Sequence, residues 1–201
     1  MKKVVLFLAL ALGASTVAHA QYRGRGGNVS LGLKAGASLT DLVGKDASVF
    51  SSRFGFNAGV FANIGFARLF AFQPEIIYSQ KGAHLGNNSD VSLRLHYIDV
   101  PLAFHVNTDG FFFEAGPQVG FLVAAKSEVG NTSADATNSF KTIDFGYLGG
   151  LGYQLKHGLG VGLRYNGEFT NVYKNYLVGP VTVQQRTRNS AFQLYATYSF
   201  N

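Results

Sequence analysis

After residue 20 the chain falls into about eight segments of roughly ten residues, in which apolar side chains alternate with polar ones or Gly. Successive side chains on a strand point to opposite faces, so this alternation predicts strands with one apolar and one polar face. The joins between segments are alternately long and short, as in a chain that crosses a bilayer as hairpins. Inside a bilayer every backbone N–H and C=O must be satisfied by the chain itself. Without long apolar helices, only a closed barrel achieves that. The expected fold is all-β: an eight-stranded antiparallel up-and-down transmembrane β-barrel, preceded by a cleaved signal peptide.

The leader is read separately. Lys2 and Lys3 precede an apolar run from Val4 to Leu12, and Ala18-His19-Ala20 supplies a small-x-small cleavage site. That run is far shorter than the ~20 residues a membrane helix needs. The expected division is a signal peptide over 1–20, a short periplasmic tail over 21–28 and an outer-membrane barrel domain over 29–201.

Composition removes several functions. The chain has no Cys, which excludes disulfides, Cys–zinc sites and a catalytic thiol. The net charge of +6 falls to roughly +4 without Lys2 and Lys3. The basic residues are dispersed, apart from Arg23 and Arg25 in a Gly-rich tail and Arg186 and Arg188 near the end. Nucleic-acid binding needs a concentrated basic face and is not expected.

Parity assigns the facing. Leu31, Leu33 and Leu39 share one side of the first strand, while Lys34, Ser38 and Thr40 share the other. Phe54, Phe56 and Val60 oppose Asn57 and Phe61 in the second. In the third, Phe72 and Ile76 oppose Gln73, Glu75, Ser79 and Lys81, and Pro74 predicts a bulge or local irregularity. The fourth carries Ile98, Val100 and Phe104 against Asp99. Leu93, Leu95 and Tyr97 reverse the apolar parity above them, predicting a bulge or a lumen-facing aromatic layer. Later strands set Phe113 against Glu114 and Gln118, Tyr147 against Asp144 and Gly150, Leu163 against Arg164 and Glu168, and Leu194 against Asn189 and Gln193. A soluble barrel would place the apolar face inside. Here the polar face is rich in Gly and the apolar face is crowded with Phe and Tyr, and a narrow lumen has room only for the former.

Short turns are expected near Gly65–Arg68, Asn107–Gly110 and Lys156–Gly158, and longer polar loops near Asp41–Ser52, Ala83–Val91, Lys126–Lys141 and Asn171–Thr187. Short turns face the periplasm in such barrels, so both chain ends are expected there.

The candidate site is the lumen charge network of Lys34, Glu75, Asp99, Glu114 and Arg164. Counting from the turns puts Lys34, Glu75, Asp99 and Arg164 near mid-height, Glu114 lower, and Asp144 and Glu168 higher. Buried charges are costly unless paired, so a salt-bridged plug is expected. Arg164 is expected to cross toward Glu75 or Asp99, with Lys34 balancing the remaining carboxylate. A gated narrow pore is the alternative. His84, His96, His105 and His157 lack ligand spacing, so no metal is expected. His96 near Ser92 is the only remote enzymatic pairing, and no catalytic residue or cofactor is assigned.

Several stretches resemble the Bacteroidetes outer-membrane β-barrel proteins of the PorT family, related in shape to OmpA- and OmpX-type barrels. They include Gly32-Leu33-Lys34-Ala35-Gly36, Gln73-Pro74-Glu75-Ile76-Ile77-Tyr78-Ser79-Gln80-Lys81-Gly82, Tyr97-Ile98-Asp99-Val100-Pro101-Leu102 and Glu114-Ala115-Gly116-Pro117. The resemblance implies an integral outer-membrane protein of a Gram-negative bacterium, with a link to protein secretion through the founding member. The favoured reading is a non-enzymatic structural or interaction barrel with a plugged lumen. A transporter for small solutes or apolar ligands and a lipid-modifying enzyme are the alternatives. Expected partners are outer-membrane lipid and lipopolysaccharide, the insertion machinery during biogenesis, and an envelope protein.

Overall fold

The computed structural model describes residues 29–86, 88–130, 132–174, 176–178, 181–183 and 185–200. The signal peptide and tail expected over 1–28 lie outside these residues. Eight long strands form the wall: β1 (Val29–Gly44), β2 (Arg53–Gly65), β3 (Phe70–Leu85), β4 (Asn88–Thr108), β5 (Phe111–Val129), β6 (Ile143–Gln154), β7 (Leu159–Glu168) and β8 (Thr187–Phe200). Each pairs antiparallel with its neighbour in the chain, and β8 closes on β1, from Leu31 opposite Phe200 to Gly44 opposite Thr187. Closure leaves the wall no free edge, which is what a bilayer requires of a sheet.

The alternation sorts side chains as its parity predicts. Phe54, Val60, Phe113, Phe145, Leu163, Phe192 and Leu194 are exposed on the outer surface, whereas Lys34, Asn57, Glu75, Gln118, Arg164 and Gln193 are buried inside. Glycines of the inner face make room for rings from neighbouring strands. A Cβ on Gly32 would overlap Phe61, one on Gly152 would overlap Phe112, and one on Gly162 would overlap Tyr195.

At Pro74 the second of the two expected outcomes forms, a local irregularity without a bulge. Beside Pro74 the β2–β3 ladder is interrupted, yet Phe61 opposite Glu75 and Ile64 opposite Phe72 keep one register across the gap. Proline removes a donor without inserting a residue, so bonds are lost but the pairing does not shift. The reversed apolar parity of the upper residues of β4 forms the expected lumen-facing layer, with Leu95 and Tyr97 buried inside, and a bulge lies beside it on β5. The register of β4 with β5 shifts between His96 and Tyr97, because Ala124 opposes His96 while Leu122 opposes Tyr97. The extra residue is Val123, on β5. β4 itself alternates without a break, and Leu95, Tyr97 and Asp99 are all buried inside.

The two ends differ in construction. At one end the turns are tight: Thr108 pairs with Phe111, and Asp109 and Gly110 between them both have positive φ, 46° and 90°. Those angles suit the right-handed twist of a two-residue hairpin. At the other end the strands overshoot. The loop expected over Ala83–Val91 is mostly ladder, with His84 opposite Ser92 and Leu85 opposite Asn88. The Lys126–Lys141 connection likewise contains a strand, Thr132–Asp135, folded back on Lys126–Val129. An apolar cluster rewards this overshoot. Leu42, Ala83, Leu95, Tyr97, Leu122 and Ala125 from the wall close around Phe140 and Val172 from the connections. Phe140 is bridged to Tyr173, and the Lys141 N–H donates to the Val172 carbonyl at 2.9 Å. The long-connection end of the lumen is therefore capped by apolar side chains.

Candidate functional site in the lumen

Below this cap the inner face carries two ion clusters. The first joins four alternate strands. Arg164 on β7 forks across the lumen to Glu75 on β3, with Nη1 donating to Oε2 at 2.8 Å and Nη2 to Oε1 at 2.8 Å. The same guanidinium reaches Glu114 on β5, Nε donating to Oε1 at 2.8 Å and Nη2 to Oε2. Lys34 on β1 donates to both oxygens of Glu75, at 3.2 and 3.3 Å. Gly150 on β6 lies in register between Glu114 and Arg164. A Cβ there would stand 2.7 Å from Glu114 Oε1, so its absence lets the two side chains meet over β6.

Neutral groups complete this cluster. Gln73 Nε2 donates to Glu75 Oε1 at 2.9 Å, and the Tyr195 hydroxyl donates to Glu114 Oε1 at 2.8 Å. The Lys34 ammonium sits 3.7 Å from the centroid of the Tyr195 ring. Two cations face two carboxylates, all of them buried. A dry interior tolerates charge only when it is matched and hydrogen-bonded in this way.

The second cluster is centred on Lys81 of β3. Its Nζ donates to Asp99 Oδ1 on β4 and to Glu168 Oε1 on β7, each at 2.9 Å, and Gln118 Nε2 donates to Glu168 Oε1 at 3.1 Å. Asp144 lies nearby, its Oδ2 accepting from Asn189 Nδ2 at 3.1 Å. Its Oδ1 has no partner among the described residues.

The predicted set is thus divided. Lys34, Glu75, Glu114 and Arg164 share the first cluster, and Asp99 belongs to the second with Lys81 and Glu168. Lys34 shares Glu75 with Arg164 instead of balancing another carboxylate, and Glu114 stands level with Arg164 instead of below it. The tilt of the strands explains these differences. Following the ladder bonds from Lys34 leads to Gly59, Ile77, Asp99, Gly120 and finally Asp144, near the opposite end of its own strand. Counting residues from the turns ignores that stagger. Lys81 and Tyr195 were legible as inward-facing by parity, but their partners were not.

At the tight-turn end the lumen opens into a vestibule of about 360 Å³, lined by polar groups including Asn63, Gln73, Gln154 and Thr197. His105 lies at its floor, stacked on Phe112 with centroids 5.1 Å apart, and its Nε2 is 3.3 Å from Glu114 Oε2. Between the two clusters, the gap bounded by Ile77, Ser79, Pro101 and Gln193 has a volume of ≈ 0 Å³ for water. Ser92 and His96 do not meet. Ser92 Oγ donates to Glu128 at 3.2 Å, and His96 Nδ1 shares a hydrogen bond with the Tyr78 hydroxyl at 2.5 Å. Among the described residues no three His, Asp or Glu side chains gather in a metal-holding arrangement.

A closed up-and-down barrel with an apolar outer surface and a charged, filled interior defines an outer-membrane protein of a Gram-negative bacterium. The chain belongs to the outer membrane protein beta-barrel domain family, whose sequence pattern matches residues 19–174. In fold it is similar to Neisserial surface protein A, NspA, with 16% identity, 86% of this chain and 99% of that chain covered, and a TM-score of 0.56. It is also similar to Ail, the attachment invasion locus protein of Yersinia pestis, with 12% identity, 85% and 98% covered, and a TM-score of 0.50. No curated protein sequence matches the chain.

Proposed function

We propose that this protein is a non-enzymatic interaction barrel whose polar lumen is plugged and whose long connections face the cell exterior. The observation that carries this reading is the filled middle of the lumen, where the gap between the ion clusters leaves ≈ 0 Å³ for water. The apolar cap around Phe140 and Val172 adds a second barrier. The resemblance of Gln73–Gly82 and Tyr97–Leu102 to PorT-type motifs supports reading the chain as a Bacteroidetes-type member with a role tied to protein secretion. Single-channel recording on refolded protein tests the plug. No conductance is expected, and steady ion flow through the unmodified chain would defeat the reading.

One observation favours a gated pore as the second reading. Glu75 already binds both Lys34 and Arg164, so Arg164 can leave it for Glu114 without stranding a carboxylate. Brief, rare openings that lengthen in Arg164→Ala would support the gate.

A further inference from the structure

We propose that Lys45, Arg186 and Arg188 form a binding site for the phosphate groups of the phosphorylated glycolipid in the outer leaflet. The site lies on the outer surface, at the long-connection end of the β1–β8 seam. Arg188 on β8 stands directly opposite Val43 on β1, and the seam ends one pair later at Gly44 and Thr187. By strand parity Arg188 points away from the lumen, since Thr187 and Asn189 on either side are buried within it. Lys45 and Arg186 continue the two strands past the last pair, and all three cations are exposed. With Val43, Gly44 and Asn171 they bound an open recess of about 470 Å³.

Two features mark this group. Among the described residues none of the three cations has an ion-pair partner, as is also true of Lys126 and Lys174 at the same end, but these three line one recess together, whereas Arg94 is bound to Glu128 at 3.0 Å. The nearby carboxylates are occupied by other donors. Asp46 Oδ2 accepts the Arg186 backbone N–H at 2.7 Å, while Asp41 accepts from the Leu42 N–H at 2.7 Å and from Ser52 Oγ at 2.9 Å. Neutral N–H and O–H donors leave these carboxylates charged, so the three cations keep a net excess of positive charge, and such an excess at a membrane protein's surface attracts an anion.

The second feature is position relative to the apolar band. Descending the outer face of β8 from Arg188, the next residues are Ser190, Phe192 and Leu194. Ser190 Oγ bonds the Tyr165 hydroxyl at 3.2 Å, and the Tyr165 and Phe192 rings pack 4.9 Å apart. Phe192 and Leu194 are 63% and 60% exposed, which marks the acyl-chain zone. Aromatic residues carrying a hydroxyl concentrate at the bilayer interface. Arg188 lies four residues above Phe192, roughly 13 Å along a strand, at the depth of a lipid headgroup. Guanidinium groups bind phosphate oxygens in pairs, and an added ammonium supplies further donors. A lipid whose acyl chains lie along Phe192 and Leu194 would place its phosphates within this trio.

This inference rests on the exterior orientation of the long connections given under the proposed function. Protease accessibility on cells tests that orientation, and the binding measurement below, made in micelles, is independent of it. Full-length mature protein refolded in neutral detergent would be titrated with bisphosphorylated lipid A, with the same lipid dephosphorylated, and with inorganic phosphate. Heat-dependent migration in SDS gels would establish folding of each variant. The triple variant Lys45→Gln/Arg186→Gln/Arg188→Gln should bind bisphosphorylated lipid A at least about tenfold more weakly, the loss expected for a charge-assisted contact. Lys126→Gln/Lys174→Gln, which removes two cations elsewhere at the same end, should bind like the unmodified chain. Dephosphorylated lipid should bind weakly to all three proteins, and raised salt should weaken only the phosphate-dependent part. Equal binding by the folded triple variant would overturn the site. Equal binding of dephosphorylated lipid would reduce it to an apolar contact. Inorganic phosphate binding as tightly as the lipid would make it a free-anion site and overturn the lipid assignment.

Discussion

Arg164 and Glu75 face one another across the lumen from β7 and β3, joined by two parallel hydrogen bonds of 2.8 Å. This fork fixes the level of the first cluster, because Lys34 and Glu114 attach to it from the remaining alternate strands. Both residues are nearly inaccessible, at 3% and 2% exposure, so the pair contributes as a buried bridge and not as a surface one.

Loss of Arg164 should therefore expose an asymmetry between its two partners. Arg164→Ala is expected to destabilise the barrel by roughly 3–5 kcal/mol, because it strands buried carboxylate charge. Glu75 keeps Lys34 and Gln73, whereas Glu114 keeps only the Tyr195 hydroxyl and His105. Arg164→Ala/Glu114→Ala should thus recover more stability than Arg164→Ala/Glu75→Ala. Urea unfolding in micelles, followed by circular dichroism, measures all three. Equal recovery, or none, would contradict this division of the charge.

Gly162 tests the packing beside that cluster. Its missing Cβ leaves the space filled by the ring and hydroxyl of Tyr195. Gly162→Ala should displace the ring, weaken the Tyr195–Glu114 hydrogen bond and cost about 1–3 kcal/mol, the range for overpacking. Gly162→Ala combined with Tyr195→Phe should show less than additive loss in the same unfolding measurement.

Facing can be tested at the outer wall. Leu194 and Phe113 are 60% and 54% exposed and lie on the apolar surface. Replacing either with Arg near the midplane should cost roughly 2–4 kcal/mol in a bilayer. Reversible folding into phosphatidylcholine vesicles reads the penalty. Little penalty at both positions would place this surface outside lipid.

Orientation has a proteolytic signature. Trypsin added to intact cells should cut in the long connections, at Lys45 or Lys174, and spare Lys156 in the tight turn between β6 and β7. Permeabilised cells should become susceptible at Lys156. Cleavage there in intact cells would reverse the topology.

A small pH effect is expected in the connection after β5. The Thr137 N–H donates to Asp135 Oδ1 at 2.8 Å, and this bond holds the exposed Asp135 carboxyl below its usual range. A depressed folded-state value stabilises the local turn above the unfolded value, and that contribution is lost as pH falls through the folded one. The protection factor of the Thr137 amide, its exchange rate corrected for the intrinsic pH dependence, should fall at acid pH in the unmodified chain. In Asp135→Asn the acid-dependent change should be absent.

The register of hydrophobic alternation let the sequence by itself determine the class of fold. Phe54, Phe113 and Leu194 had to share a surface distinct from Asn57, Glu114 and Gln193, because side chains alternate along any strand. The short turn at Asp109–Gly110 and the inward direction of Lys34, Glu75, Asp99 and Arg164 follow from the same local rule. The partners of those charges did not. Stagger between tilted strands sets which residues share a level, and stagger is a property of the closed ring. That is why Lys81 serves Asp99 and Glu168, why Glu114 meets Arg164 over Gly150, and why Val123 carries the bulge. The overshooting β3–β4 hairpin was likewise settled by packing against Phe140 and Val172, residues distant in the chain whose contact no local pattern encodes.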